Sequence, residues 1–153
     1  MSVFMNTTNH VMHMTGYRAD GLRFDQNDPD IPPGKSRYIN NDHNADFDWY
    51  IVVAYLHGAE IPDRVGITQA VEGGGGGFGI SIAGNGFSVM GSGTSTVFYS
   101  DGMAACQSSH HDTWWLVESG PEGSEDAKLG WVPDTQQFAF KLPTPQNADL
   151  MGR

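Results

Sequence analysis

The tightest group of chemically capable side chains in this sequence is Cys106, His110, His111 and Asp112. A thiol, an imidazole and a carboxylate are the parts of a cysteine-dependent site, in which a neighbouring base raises the thiolate fraction. The spacing matches no known nucleophile motif, however, and G-x-S-x-G is absent. His110, His111 and Asp112 are the better metal candidates. Three adjacent loop residues can turn toward one point, imidazole suits zinc, copper or nickel, and the carboxylate serves as ligand or as orienting partner. The same residues fit a solvated loop, or a pH-sensing one. A buried, idle thiol is the plain reading of Cys106.

The remaining candidates are looser. His10 and His13 stand three apart, which on a strand puts them on opposite faces and forbids a two-ligand clamp. Gly74, Gly76 and Gly79 satisfy G-x-G-x-x-G, but any five-glycine run does so, and a strand-like rather than helical segment follows. The acidic stretches Asp25–Asp30, Asp42–Asp48 and Glu118–Asp126 offer oxygens to calcium without the spacing of an EF-hand. No catalytic constellation and no cofactor motif emerges. Among the aromatic residues, Trp114, Trp115, Tyr99 and Trp131 are the candidate binding surface, since an exposed indole or phenol suits a lipid interface, a sugar face or a protein partner. Trp114 and Trp115 are adjacent on a strand and must face opposite ways. Either one of them reaches solvent, or the sheet is covered on both faces.

The elements that would position these residues are strands. Phe47–Leu56 is β-branched and aromatic on both faces, the pattern of a central strand. Val3–Met14 reads as strand, polar turn at Asn6–Asn9, and a second strand from His10 with Met12 and Met14 on its core face. Ser36–Ile39 leaves a Pro32-Pro33-Gly34 turn. Phe78–Ala83 and Phe87–Met90 alternate about Gly84-Asn85-Gly86, which predicts a hairpin. Thr94–Ser100, Thr113–Glu118, Leu129–Val132 and Gln137–Leu142 complete the strands. Asp101–Asp112 reads as a polar loop, Gly73–Gly77 as a mobile or tightly packed connector, and residues past Pro143 as a frayed tail. The expectation is an all-β fold: one antiparallel β-sandwich domain of about eight or nine short strands over residues 1–142, with a flexible tail over 143–153.

Composition narrows the function. A net charge of −10 with only 8 scattered Lys and Arg excludes a phosphate-neutralising stripe, and with it nucleic acid as a partner. The single cysteine rules out an intrachain disulfide. The beginning lacks the basic and apolar parts of a cleavable signal, and no segment is long and apolar enough for a membrane helix. Cytoplasmic synthesis, with or without later release, is the expectation. Asn6-Thr7-Thr8 is a glycosylation sequon, read as coincidental.

Phe4-Met5-Asn6-Thr7-Thr8-Asn9-His10-Val11-Met12-His13-Met14 and the turn Ile31-Pro32-Pro33-Gly34-Lys35-Ser36 resemble the opening of the aegerolysin group. These are small acidic β-sandwich proteins that act as lipid-binding components of pore-forming toxins. The resemblance covers the first quarter of the chain. It implies a non-enzymatic binding protein that recognises a lipid or membrane, alone or with a second protein component. The alternative is a structural or assembly subunit, such as a virion decoration protein, in which sheet edges pair across copies in a homo-oligomer.

Overall fold

The computed structural model describes residues 2–25, 30–39, 49–56, 61–69, 78–82, 85–89, 98–99, 102–108, 112–119, 128–134 and 150–151. Fourteen strands lie among them. The first half supplies β1 (Ser2–Asn6), β2 (Met12–Arg18), β3 (Arg23–Asp25), β4 (Asp30–Ile31), β5 (Ser36–Ile39), β6 (Tyr50–Tyr55) and β7 (Gly66–Gln69). The second half supplies β8 (Phe78–Ile82), β9 (Asn85–Val89), β10 (Phe98–Tyr99), β11 (Met103–Ser108), β12 (Thr113–Ser119), β13 (Lys128–Pro133) and β14 (Leu150–Met151). The fold is all-β and sandwich-like. No helix among the described residues is long and apolar enough to cross a membrane.

Two larger sheets form the sandwich. One runs β10-β13-β12-β1-β5-β14, the other β11-β6-β2-β3 with β4 also paired to β2. A three-stranded sheet, β7-β8-β9, joins the core through Val89 and the partly buried Ile67. Most pairings are antiparallel, but β1–β12 and β5–β14 are parallel, so the sandwich is mixed rather than purely antiparallel.

β6 is the central strand expected from Phe47–Leu56. All six of its residues are buried, between β11 on one side and β2 on the other. Consecutive side chains point to opposite faces, so burial of every position means that both faces of this sheet are covered. Tyr50, Val52 and Ala54 share the face of Met14, Gly16, Ala104 and Cys106. That face meets the six-stranded sheet. There Phe4 packs edge-on against Trp131, with ring centroids 5.4 Å apart and planes at 77°.

Several expectations are met and others corrected. Ser36–Ile39 is β5 as read, and Met12 and Met14 are buried in β2 while Val11 is exposed. β2 starts at Met12 rather than His10 and runs on to Arg18, because Thr15, Gly16 and Tyr17 pair along β6. The β8–β9 hairpin forms with Ile82 opposite Asn85. Asn85 and Gly86 therefore belong to β9 and not to the expected turn.

The Asp101–Asp112 loop is the main error. Met103–Ser108 is a strand pairing residue by residue with β6, from Met103 opposite Tyr55 to Ser108 opposite Tyr50. Leu150 and Met151, within the expected tail, pair alongside Ser36 and Arg37. The glycine run Gly73–Gly77, most of Thr94–Ser100 and all of Gln137–Leu142 lie outside the described residues.

Candidate functional site

Asp112 immediately precedes β12, and its backbone N–H, its carbonyl and one carboxylate oxygen are engaged. Its carbonyl accepts the Val3 N–H at 2.9 Å and its own N–H donates to Ser2 Oγ at 3.1 Å. Its Oδ2 lies 3.2 Å from Ser108 Oγ, which is also 3.1 Å from Ser2 Oγ. One hydroxyl hydrogen cannot serve two acceptors, so the two serines share the work: one hydrogen goes to the carboxylate and the other lies between the hydroxyls. The result is a closed ring that joins the start of β1, the end of β11 and the start of β12.

Tyr50 completes this cluster. It stands directly opposite Ser108 across the β6–β11 pairing, with the Ser2 and Ser108 hydroxyls near its phenol. Burial pushes its pKa up to about 12, more than the neighbouring serine hydroxyls pull it down. Cys106 lies two residues along β11, on the same face. Burial raises its thiol well above the ordinary range, the nearby Asp112 charge adds to this, and a backbone hydrogen bond from Val52 opposes it. A nucleophilic cysteine needs the opposite shift, toward thiolate. Cys106 and Asp112 thus come together as the sequence spacing suggests, with their chemistry directed to holding the sandwich. His110 and His111 lie outside the described residues, and no group of three or more metal-ligating side chains occurs among those described.

The aromatic candidates are displaced from the surface. Trp114, Trp115, Tyr99 and Trp131 are all buried, Trp115 to 1% exposure. The two adjacent tryptophans do face opposite ways. Trp114 enters the main core, while Trp115 joins Met5, Val117 and Val132 in a second cluster on the outer face of the same sheet. Neither reaches solvent because this sheet, too, is covered on both sides. Two of the four serve strand β11. The Trp131 indole N–H donates to Ala104 O at 3.3 Å, and the Tyr99 hydroxyl donates to Ala105 O at 3.4 Å. Among the described residues, the exposed large hydrophobic side chains are Val11 and Leu56.

A second polar centre, not singled out from the sequence, sits at the β1–β2 turn. Asn6 is buried, and its carboxamide nitrogen donates to His10 O and Ile31 O, both at 2.8 Å. Its Oδ1 accepts the Thr8 N–H at 2.9 Å and the Thr8 hydroxyl at 2.7 Å. Its backbone N–H donates to Lys35 O, and its carbonyl accepts the Gly34 N–H. All the hydrogen-bonding capacity of one residue thus ties the turn to the Pro32–Lys35 turn and to β4. The sequon nitrogen is buried and spent on two backbone carbonyls in this arrangement. The signal in the sequence was the Asn-Thr-Thr turn itself, in which short polar side chains bond their own backbone.

His10 and His13 engage different elements, and His10 lies outside β2 rather than on the strand as expected. His10 lies in the turn and pairs with Glu118 of β12, Nε2 to Oε2 2.7 Å. His13 lies in β2, stacks on Tyr55 with centroids 5.4 Å apart, and pairs with Asp30 of β4 at 3.1 Å. Each ties its own pair of elements together.

No family model, no curated protein and no solved structure matches this chain.

Proposed function

We propose that the chain is a non-enzymatic binding protein that works as an assembly subunit, joining other protein chains through its strand edges. The observation that carries this reading is the closed ring of Ser2, Ser108 and Asp112 with Tyr50 and Cys106 beside it. The best-equipped group for chemistry satisfies itself, and its thiol and phenol are both held neutral. Among the described residues, surface and strand edge are what this reading assigns to function. Partners of this kind are acidic-tolerant protein surfaces and further copies of the chain, since a net charge of −10 disfavours polyanions. Sedimentation velocity over a wide concentration range tests the reading, together with capture of partners from the native source. A species that stays monomeric and retains no partner rejects it.

A lipid-recognising role is the second reading. The resemblance to aegerolysin-type proteins supports it, and the strand–turn–strand that carries that resemblance is pinned by Asn6 with Val11 exposed beside it. The burial of Trp114, Trp115, Tyr99 and Trp131 places it behind the assembly reading. Co-sedimentation with vesicles of phosphatidylcholine, sphingomyelin and cholesterol separates the two, and no retention on any mixture removes the lipid role.

A further inference from the structure

Asn6-Thr7-Thr8 has the spacing of an N-glycosylation acceptor, and such acceptors stand on protein surfaces, where a bulky glycan finds room. Here both groups that define the acceptor are inside. Asn6 is 2% exposed and Thr8 3%. Both hydrogens of the Asn6 carboxamide nitrogen are taken, one by His10 O and one by Ile31 O, each at 2.8 Å. The Thr8 hydroxyl closes on Asn6 Oδ1 at 2.7 Å. The surroundings of this side chain are backbone: the turn leading to His10, the end of β4 at Ile31, and the Gly34–Lys35 segment that the Asn6 main chain itself holds.

We infer that Asn6 is a modification site whose occupancy excludes this fold, so that the chain reaches its native state only while Asn6 carries no glycan. Transfer joins C1 of a sugar to Nδ2, breaks the bond from that carbon to a lipid pyrophosphate, which leaves, and releases one Nδ2 hydrogen as a proton. The carboxamide nitrogen then keeps one hydrogen. It serves Ile31 O or His10 O but not both, and the sugar takes the direction of the other carbonyl, where an acceptor now sits at 2.8 Å. Synthesis sets the order in which folding and transfer compete. Burial of Asn6 depends on partners far along the chain: Ile31, Lys35, and Leu116 of β12, which stands opposite Asn6 in the parallel β1–β12 pairing. At about 5–20 residues per second, β12 follows the sequon by roughly 5–20 s. A transferase meets open chain during that interval. Once β1 is seated between β12 and β5, the same nitrogen is out of reach. The chain therefore folds where oligosaccharide transfer is absent, or ahead of it.

The test offers two substrates to a purified oligosaccharyltransferase with its lipid-linked oligosaccharide: the folded full chain and the peptide Ser2–Met14. Intact mass should show the peptide glycosylated at Asn6 and the folded chain unmodified. The full chain is then translated behind a cleavable secretory leader in the presence of membranes that carry the transferase, and its glycosylated and unglycosylated fractions are compared. The comparison needs no substitution at Asn6, which would itself disturb the turn. Unglycosylated chains should resist protease and unfold cooperatively in urea, and glycosylated chains should lose both properties. Transfer to the folded chain at the rate of the peptide overturns the inference. A glycosylated fraction as protease-resistant as the unglycosylated one overturns it too. A translated chain that stays wholly unmodified while the peptide accepts the glycan supports the exclusion and overturns the order of events during synthesis.

Discussion

The carboxamide nitrogen of Asn6 donates to the carbonyl of Ile31 at 2.8 Å, joining residues 25 apart in the chain inside a buried turn. This contact makes a turn that reads as local polar punctuation into a long-range strut. Replacing Asn6 with alanine removes the buried partners of the Ile31 carbonyl and the Thr8 N–H, and one of the two donors to the His10 carbonyl. Each buried orphan costs about 1–3 kcal/mol, so the loss should be on the order of 3 kcal/mol or more. Asn6→Asp keeps the acceptor for Thr8 but loses both donors and buries a charge, and should be no better. Urea titration of both variants measures this; a loss under about 1 kcal/mol would show that Asn6 is not the strut described.

The ring around Asp112 gives a prediction for alkaline pH. Burial raises the folded-state pKa of Tyr50 to about 12 from the ordinary value of about 10. The unfolded chain therefore ionises first. Tyr50's contribution to stability is complete below about pH 10, falls as pH rises, and is lost through pH 12, a total of about 2–3 kcal/mol. Cys106 acts with the same sign and from lower pH, because an ordinary thiol ionises near 8.5 while this one is held well above that. Tyr99 is raised as well, again by burial. Urea midpoints should decline steeply between pH 9 and 12, and Tyr50→Phe should flatten the upper part of that decline. An unchanged slope in the Tyr50→Phe variant would place the alkaline sensitivity elsewhere.

Much of this architecture was legible because apolar side chains announce their strands. Ile51, Val52 and Val53 mark β6, and the alternation of Phe78, Ile80 and Ile82 marks β8. Strand β11 was hidden for a physical reason. Ala104, Ala105 and Cys106 are small, and they are buried because Trp131 and Tyr99 reach over them from the other sheet. The hydrophobic signal for β11 thus resides in its partners. The tryptophan pair is a similar case: opposite orientation follows from strand geometry, but whether either face meets water depends on what covers it. For the polar cluster, Cys106 and Asp112 are neighbours in sequence. Ser2 and Tyr50 arrive only through the β1–β12 and β6–β11 pairings, which no local pattern encodes.

Two turn glycines separate steric from conformational cost. Gly21 has φ +91° and Gly34 has φ +80°, both in the left-handed region that disfavours a side chain. At Gly34 a methyl group would meet nothing within 4 Å, while at Gly21 it would collide with the backbone carbonyl oxygen of Val65. That carbonyl belongs to the segment whose Val65 N–H donates to Gly21 O at 2.9 Å. Gly34→Ala should therefore cost only backbone strain, about 1 kcal/mol. Gly21→Ala should cost at least about 2 kcal/mol, because the Arg64–Val65 pairing must also shift. Equal losses on thermal or urea unfolding would contradict the close approach at Gly21.

Gly16 is a packing glycine, and its partner can be identified genetically. A methyl group there would drive into the ring of Phe24, with Cε1 at 2.8 Å and Cζ closer still. Phe24 in turn meets Tyr50 edge-on, with centroids 5.6 Å apart at 86°. The ring therefore cannot retreat without disturbing the tyrosine that completes the Asp112 cluster. Gly16→Ala should destabilise by about 1–3 kcal/mol through overpacking. Phe24→Leu alone should cost about 1 kcal/mol or more through lost packing. If the two residues compete for the same space, the double variant should be more stable than the sum of the single losses, by about 1 kcal/mol or more. Additive losses would mean that the alanine methyl is accommodated by backbone movement in β2, and would detach Gly16 from the Phe24–Tyr50 contact.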